Sequence, residues 1–119
     1  MSYCDLRVWK EAMKLAIEVY RNTDGFPKHE LYGLCQQMRR AAISVPSNIA
    51  EGKGHRSNRE LCHFLFHARG SLQELQTQVM IAKELNYLSE VQGSHLLELS
   101  GSVGRGLNAL INSVREQAA

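Results

Sequence analysis

Two histidines four residues apart, His63 and His67, come nearer to metal chemistry than any other pair in this 119-residue chain. Positions i and i+4 share one face of a helix, and Cys62 stands beside them. Imidazole and thiolate are both zinc ligands. However, His63-Phe64-Leu65-Phe66-His67 lacks the glutamate of an H-E-x-x-H site, and no carboxylate falls at a ligating offset. The pair therefore reads as surface or structural histidines, and no metal or cofactor is expected. No G-x-x-x-x-G-K-[ST], G-x-G-x-x-G or G-x-S-x-G element occurs. No cysteine and histidine are singled out as nucleophile and base. The expectation is a protein without catalytic residues.

The second chemical signal is charge. Arg39, Arg40, Lys53, His55, Arg56 and Arg59 fall in the middle of the chain. Between Arg39 and Arg69, six lysines and arginines face only Glu51 and Glu60, whereas the whole chain carries a formal +2. Guanidinium and ammonium groups suit phosphate through charge and, for arginine, a two-pronged donor fork. These six residues are the candidate nucleic-acid contacts. No aromatic is interleaved with them to stack bases, which favours backbone or shape recognition over single-strand reading. The alternative is a solvated surface on a protein-binding scaffold. Asn48 and Glu51, three apart, read as a structural pair, with the Ser44, Ser47 or Asn48 side chain bonding backbone groups freed by Pro46.

The elements that must position these residues are helices. Leu6, Trp9, Met13, Ala16 and Tyr20 recur at steps of three and four, predicting a helix from about Leu6 to Thr23. Asn22-Thr23-Asp24-Gly25-Phe26-Pro27 stops it. Leu31, Leu34, Met38, Ala41 and Val45 predict a second helix from about Glu30 to Gly52, kinked at Pro46 because proline lacks an N–H and crowds the carbonyl of Ala42. Ser57-Asn58-Arg59-Glu60 is a capping box. It opens a third helix to about Leu85, with Leu61, Leu65, Ala68, Leu72, Leu75, Val79 and Ala82 on its stripe. Ser89-Glu90-Val91-Gln92 opens a fourth, with Leu96, Val103, Leu107, Leu110 and Val114 inward. Gly101, Gly104 and Gly106 weaken it or let a neighbouring backbone approach. Short connections make sequential helices antiparallel. The expected fold is one all-α domain, an up-down-up-down four-helix bundle over residues 1–119.

The first helix carries more apolar surface than a bundle needs. Val8, Trp9, Ala12, Met13, Leu15, Ala16, Val19 and Tyr20 fill roughly 160°, against a stripe somewhat over ~100°. The excess, Val8, Leu15 and Val19, together with Cys62, Phe66 and Met80 on the third helix, is the candidate oligomer interface. The alternative is a helix buried more deeply in its own bundle.

The composition, 44% hydrophobic and 22% charged, is that of a globular domain. Cys4, Cys35 and Cys62 form no C-x-x-C pair, and an odd count fits a reducing compartment. The N-terminus shows no basic stretch followed by an apolar run, and no apolar run approaches the ~20 residues of a membrane span. A cytoplasmic protein with no membrane partner is expected.

The segment Arg39-Arg40-Ala41-Ala42-Ile43-Ser44-Val45-Pro46-Ser47-Asn48-Ile49-Ala50-Glu51-Gly52 resembles the signature of the four-helix-bundle family encoded in intervening sequences of bacterial 23S rRNA genes. Asp5-Leu6-Arg7-Val8-Trp9-Lys10, Gly70-Ser71-Leu72-Gln73-Glu74-Leu75 and Glu84-Leu85-Asn86-Tyr87-Leu88 are similar to the same family. The resemblance spans roughly residues 5 to 88, and nothing distinctive in the last helix matches. It implies a homo-oligomeric ring, a pentamer. A related branch, the accessory variability determinant of diversity-generating retroelements, partners a reverse transcriptase and presents a basic surface to nucleic acid. The resemblance thus implies RNA, DNA or a nucleic-acid enzyme as partners, with Arg39, Arg40, Lys53, Arg56 and Arg59 as phosphate contacts.

Overall fold

The computed structural model describes residues 2–55 and 57–118. Among them are four α-helices: α1 (Arg7–Thr23), α2 (Leu34–Lys53), α3 (Asn58–Glu84) and α4 (Glu90–Ala118). Single 3-10 turns, Tyr3–Asp5 and Lys28–Glu30, precede α1 and α2, and no strand occurs among the described residues. Each helix packs on two neighbours, α1 on α2 and α4, α3 on α2 and α4, so α1 and α3 stand at opposite corners. The result is an antiparallel four-helix bundle measuring 47 × 23 × 20 Å.

The helix ends follow from local chemistry. Before α2, the Glu30 carboxylate accepts the Leu34 N–H at 3.2 Å and the Tyr87 hydroxyl at 3.0 Å. These donors, the backbone N–H first, hold the Glu30 carboxyl below its usual range. The first turn of the expected second helix, from Glu30, is therefore occupied by this cap, and the α-helix starts at Leu34. Pro46 lies inside α2, which runs on to Lys53.

At the start of α3, Ser57 Oγ accepts the Glu60 N–H at 3.1 Å. The reciprocal half of that capping box is absent, because the Glu60 carboxylate turns to His55. The box at α4 is complete: Ser89 Oγ accepts the Gln92 N–H at 3.1 Å, and Gln92 Oε1 accepts the Ser89 N–H at 2.9 Å. Between α3 and α4, Asn86 adopts φ 62°. Asparagine is one of the few non-glycine residues that accepts this left-handed stop.

The core contains the expected stripe of α3 in full: Leu61, Leu65, Ala68, Leu72, Leu75, Val79 and Ala82 are all buried. On α4, Leu96, Val103, Leu107 and Val114 are buried, joined by Ile111, with Leu110 partly so. On α2 the inward set is Met38, Ala41, Val45 and Ile49, whereas Leu31 stays exposed ahead of the helix.

On α1 the inward residues differ from the stripe expected. Val8, Ala12, Leu15, Ala16 and Val19 are buried, and Met13 and Tyr20 are exposed. Val8, Leu15 and Val19, expected as surplus for an oligomer interface, are instead this chain's own core. The two stripes sit one residue, about 100°, apart, and close helix approach selects between them. A Cβ on Gly106 would lie 2.9 Å from Val8 Cγ2. So α1 meets α4 where one side offers no side chain and the other a short, stiff valine. Tryptophan, methionine and tyrosine would not fit there, and the helix rotates them outward. Burying Leu15 completely contributes about 2–3 kcal/mol.

Glu11 lies on the same seam. The Ser102 hydroxyl donates to its Oε2, and the Arg7 Nε–H donates to its Oε1 at 2.9 Å. The Ser102 bond first, and the Arg7 bond and charge, hold the Glu11 carboxyl below its usual 4.5 against partial desolvation.

Two tests follow from this packing. Gly101→Ala meets only the flexible end of Arg105 at 3.5 Å and should raise stability by about 0.5–1 kcal/mol through helix propensity. Gly106→Ala should instead lower it by roughly 1 kcal/mol, overpacking against Val8 outweighing the same gain. Urea midpoints moving in the same direction for both variants would refute the close approach. For Glu11, a depressed folded pKa stabilises the fold above the unfolded value and is lost as pH falls through the folded one. Thermal midpoints taken on acidification should therefore drop less steeply below about pH 4.5 for Glu11→Gln than for the wild type. Parallel curves would show that the seam contributes no acid dependence.

Candidate functional site

The rotation of α1 opens a cleft between α1 and α2. Tyr3, Trp9, Met13, Ile17, Tyr20 and Ile43 line most of a volume of about 520 Å³, together with Pro46, Ala50 and Arg21. Met13, Tyr20, Ile43 and Ile17 are 37%, 41%, 43% and 46% exposed. Tyr3 stacks edge-on against Trp9 with ring centroids 5.3 Å apart. The cleft wall is mostly apolar, with Ser47, Arg21 and the two tyrosine hydroxyls as its polar groups, so it is suited to burying another apolar surface. Ile17 carried a signal that the helical wheel did not weigh. It interrupts the run Lys10, Lys14, Arg21 on the charged arc, where isoleucine has no solubility role.

On α3, the other candidate interface residues divide. Cys62 is half-buried against the core, Phe66 is 37% exposed, and Met80 is 52% exposed. Ile81 and Leu85, exposed near Met80, extend that patch. Because α1 and α3 occupy opposite corners, their apolar residues form two separate surfaces and not one face.

The six basic candidates divide further. Arg39 is spent within the chain. Its Nε donates to Thr23 Oγ1 at 2.9 Å, its Nη2 donates to the Tyr20 carbonyl at 3.4 Å, and its guanidinium lies 4.6 Å from the Tyr20 ring centre. His55 contacts the Glu60 carboxylate and stacks on Phe64 with centroids 4.8 Å apart. Arg40 and Arg59 are exposed and Lys53 half-exposed; none of them has a carboxylate partner among the described residues. Arg56 lies outside the described residues. Arg40 and Lys53 are 13 residues apart on α2, about 20 Å, so the cations form a spread row and not a single pocket. Arg40 shares a cleft with Gln37, Ser44, Ser71 and Glu74, and Glu74 tempers its charge.

Aromatic residues do meet cations, both along one helix and between helices. Arg69 lies 4.8 Å and Arg115 5.7 Å from the Phe66 ring centre, and Arg69 Nη1 donates to Asn108 Oδ1 at 3.1 Å. The Phe66–Arg69 spacing of three was legible on a helix; Arg115, from α4, was not.

Asn48 bonds the backbone, but at the Ser44 carbonyl and not at the Ala42 carbonyl that Pro46 leaves free. Its Nδ2 donates to the Ser44 carbonyl at 2.8 Å and to Ser44 Oγ at 2.9 Å, and Ser44 Oγ pairs with Ser71 Oγ at 2.8 Å across to α3. Glu51 is exposed and takes no part. His63 and His67 are both exposed on α3. No group of three histidine, cysteine or carboxylate side chains gathers as a metal site among the described residues. No described helix is long and apolar enough to cross a membrane.

Fold and site together define a class: four-helix bundles that offer apolar and cationic surfaces. The 23S rRNA-intervening sequence protein family matches residues 4–109, and this chain belongs to that family. The match continues well into α4, beyond the residues whose sequence resemblance was distinctive. A crystal structure of a protein of unknown function from the S23 ribosomal protein family of Bacteroides thetaiotaomicron superposes with a TM-score of 0.79 at 17% identity, covering 87% of this chain and 97% of that one. At that identity the likeness speaks for the fold. No curated protein matches the chain.

The division among the arginines is testable. Arg39→Ala should cost roughly 1 kcal/mol of unfolding free energy through the lost cation–π and hydrogen-bond contacts. Arg40→Ala, exposed and without an ion-pair partner, should shift it by under about 0.5 kcal/mol. Equal urea midpoints for the two variants would place Arg39 in solvent with Arg40.

Proposed function

We propose that this chain is a non-catalytic assembly module that works as a homo-oligomer, its α1–α2 cleft covered by another copy of itself. The observation that carries this reading is the exposed row Met13, Ile17, Tyr20 and Ile43 around Trp9. A monomer would leave that apolar surface in water, and a contiguous patch of this kind marks an interface. Opposite corners of the bundle carry the two apolar surfaces. A head-to-tail contact needs two different patches, and it closes into a ring when the rotation between copies permits. The pentameric ring implied by the family resemblance is consistent with such contacts. Three free cysteines suit work in a reducing, cytoplasmic setting.

A second reading rests on Arg40, Lys53 and Arg59, which have no carboxylate partner among the described residues. In an oligomer these cations, with Arg56, would recur around the assembly and could hold an RNA or DNA backbone without reading its bases. A nucleic-acid enzyme bound through the same surface is the corresponding protein partner.

Light scattering on purified protein tests the first reading. The wild type should run as several copies of the 13.4 kDa chain, and Ile17→Arg should release monomers with unchanged helical circular dichroism. A monomeric wild type, or an Ile17→Arg variant that stays assembled, would overturn the reading. For nucleic acid, affinity for structured RNA or duplex DNA should fall log-linearly with salt, and Arg40→Glu with Arg59→Glu should abolish it. Equal affinity in that double variant would overturn the assignment to these cations, and a wild type that binds neither nucleic acid would leave the chain a protein scaffold only.

A further inference from the structure

We propose that His63 and His67 form a two-point chelate for a borderline divalent transition ion, Zn²⁺ or Ni²⁺. Spacing puts the two histidines on one face of α3, and the folded chain brings their rings together. The two rings turn toward each other with Nε2 to Nε2 at 3.2 Å, centroids 4.5 Å apart and planes at 71°. Zinc–imidazole bonds are ~2.0–2.1 Å long, so two such nitrogens at tetrahedral to right angles on one ion stand about 2.9–3.4 Å apart. The separation a chelate requires is therefore already present.

The scaffold fixes that separation. His63 and His67 stand one turn apart in the interior of α3, a helix of 27 residues. Leu61, Leu65 and Ala68 are buried around them, so the backbone beneath the pair is held by the core. Both imidazoles are exposed, and Gly70 beyond His67 leaves open space where a Cβ would stand. Together with Phe66, Ser71 and Glu74 they border a cleft of about 410 Å³. Glu74 contributes negative charge at its far end. Arg59, one turn before His63, opposes a cation but is exposed and screened.

Without an ion, one neutral imidazole can donate its Nε2–H to the other. To bind metal, that proton passes through water to Nδ1 of the same ring. Both rings stay neutral, and each Nε2 gives its lone pair to the ion. No third ligating side chain joins them among the described residues. Water completes the coordination, leaving an open site unlike the closed four-ligand sites of structural zinc.

Calorimetric titration of Zn²⁺ and of Ni²⁺ into the full chain with reduced thiols tests this. The expected result is one ion per chain, with affinity falling roughly tenfold or more in His63→Ala and in His67→Ala. Loss of an outer-shell partner alone costs that much. His95→Ala, which removes another exposed histidine, should bind as the wild type does. Imidazole nitrogen resonances of His63 and His67 should shift together as Zn²⁺ is added. Both alanine variants keep the buried face of α3, so folding does not confound the result. Wild-type affinity in the two variants, or an ion that binds while both imidazole signals stay unmoved, would overturn the proposal.

Discussion

The rotation of α1 about its own axis is the constraint on which the rest of the surface depends, and the contact that sets it is small. Gly106 lets Val8 approach so closely that an added methyl would sit 2.9 Å from a valine carbon. Only compact residues fit along that seam, and Val8, Ala12, Leu15, Ala16 and Val19 supply them. The larger apolar residues are then turned by about 100° toward α2 and solvent. The cleft, its exposed isoleucine and its aromatic pair all follow from this displacement. A side chain at 106 would have to push Val8 and α1 away from α4.

The same rotation decides which cations are free. Bringing Tyr20 to the edge of α1 places its ring and its carbonyl within reach of Arg39 on α2. The arginine then joins the two helices and leaves the solvent-facing row. Arg40, the next residue, points about 100° away on the helix and stays exposed. Adjacent positions in one sequence cluster thus acquire unlike roles, one tying helices together and one presenting charge.

Much of this architecture was legible in the sequence. Helical periodicity located all four helices, and the stripe of α3 was right at every position because its leucines, alanines and valine repeat without a break, whereas Cys62, Phe66 and Met80 are scattered beside it. The stripe of α1 was misphased because two bands of helical spacing lie side by side on it. Spacing alone cannot rank Trp9-Met13-Tyr20 against Val8-Leu15-Val19; that choice depends on the partner helix. The consequence was an inversion: an over-wide apolar face was present, but the residues named as surplus were the core. The N-terminal capping box of α3 half-failed for a similar reason. Glu60 had a competing partner, His55, whose place in the turn was legible but whose contact with that carboxylate was not. The cation–π contacts of Phe66 with Arg115 and of Tyr20 with Arg39 join residues distant in sequence, and only the packed helices bring them together.

The histidine pair and the free cations are not independent. Ser71 and Glu74 border both the cleft of His63 and His67 and the cleft of Arg40, so the two lie side by side on the α2–α3 surface, away from the apolar cleft of α1 and α2. An ion chelated there would add two positive charges beside Glu74, offsetting the carboxylate that now tempers Arg40. The local potential would become more favourable to an anionic backbone, and by linkage a bound polyanion would tighten the ion in turn. Coupling of that sign requires no movement of the helices, since it acts through Coulomb interaction across one shared wall. It also keeps two surfaces of a simple bundle apart: the apolar cleft between α1 and α2, and a polar wall of α2 and α3 where charge can be adjusted without disturbing the core.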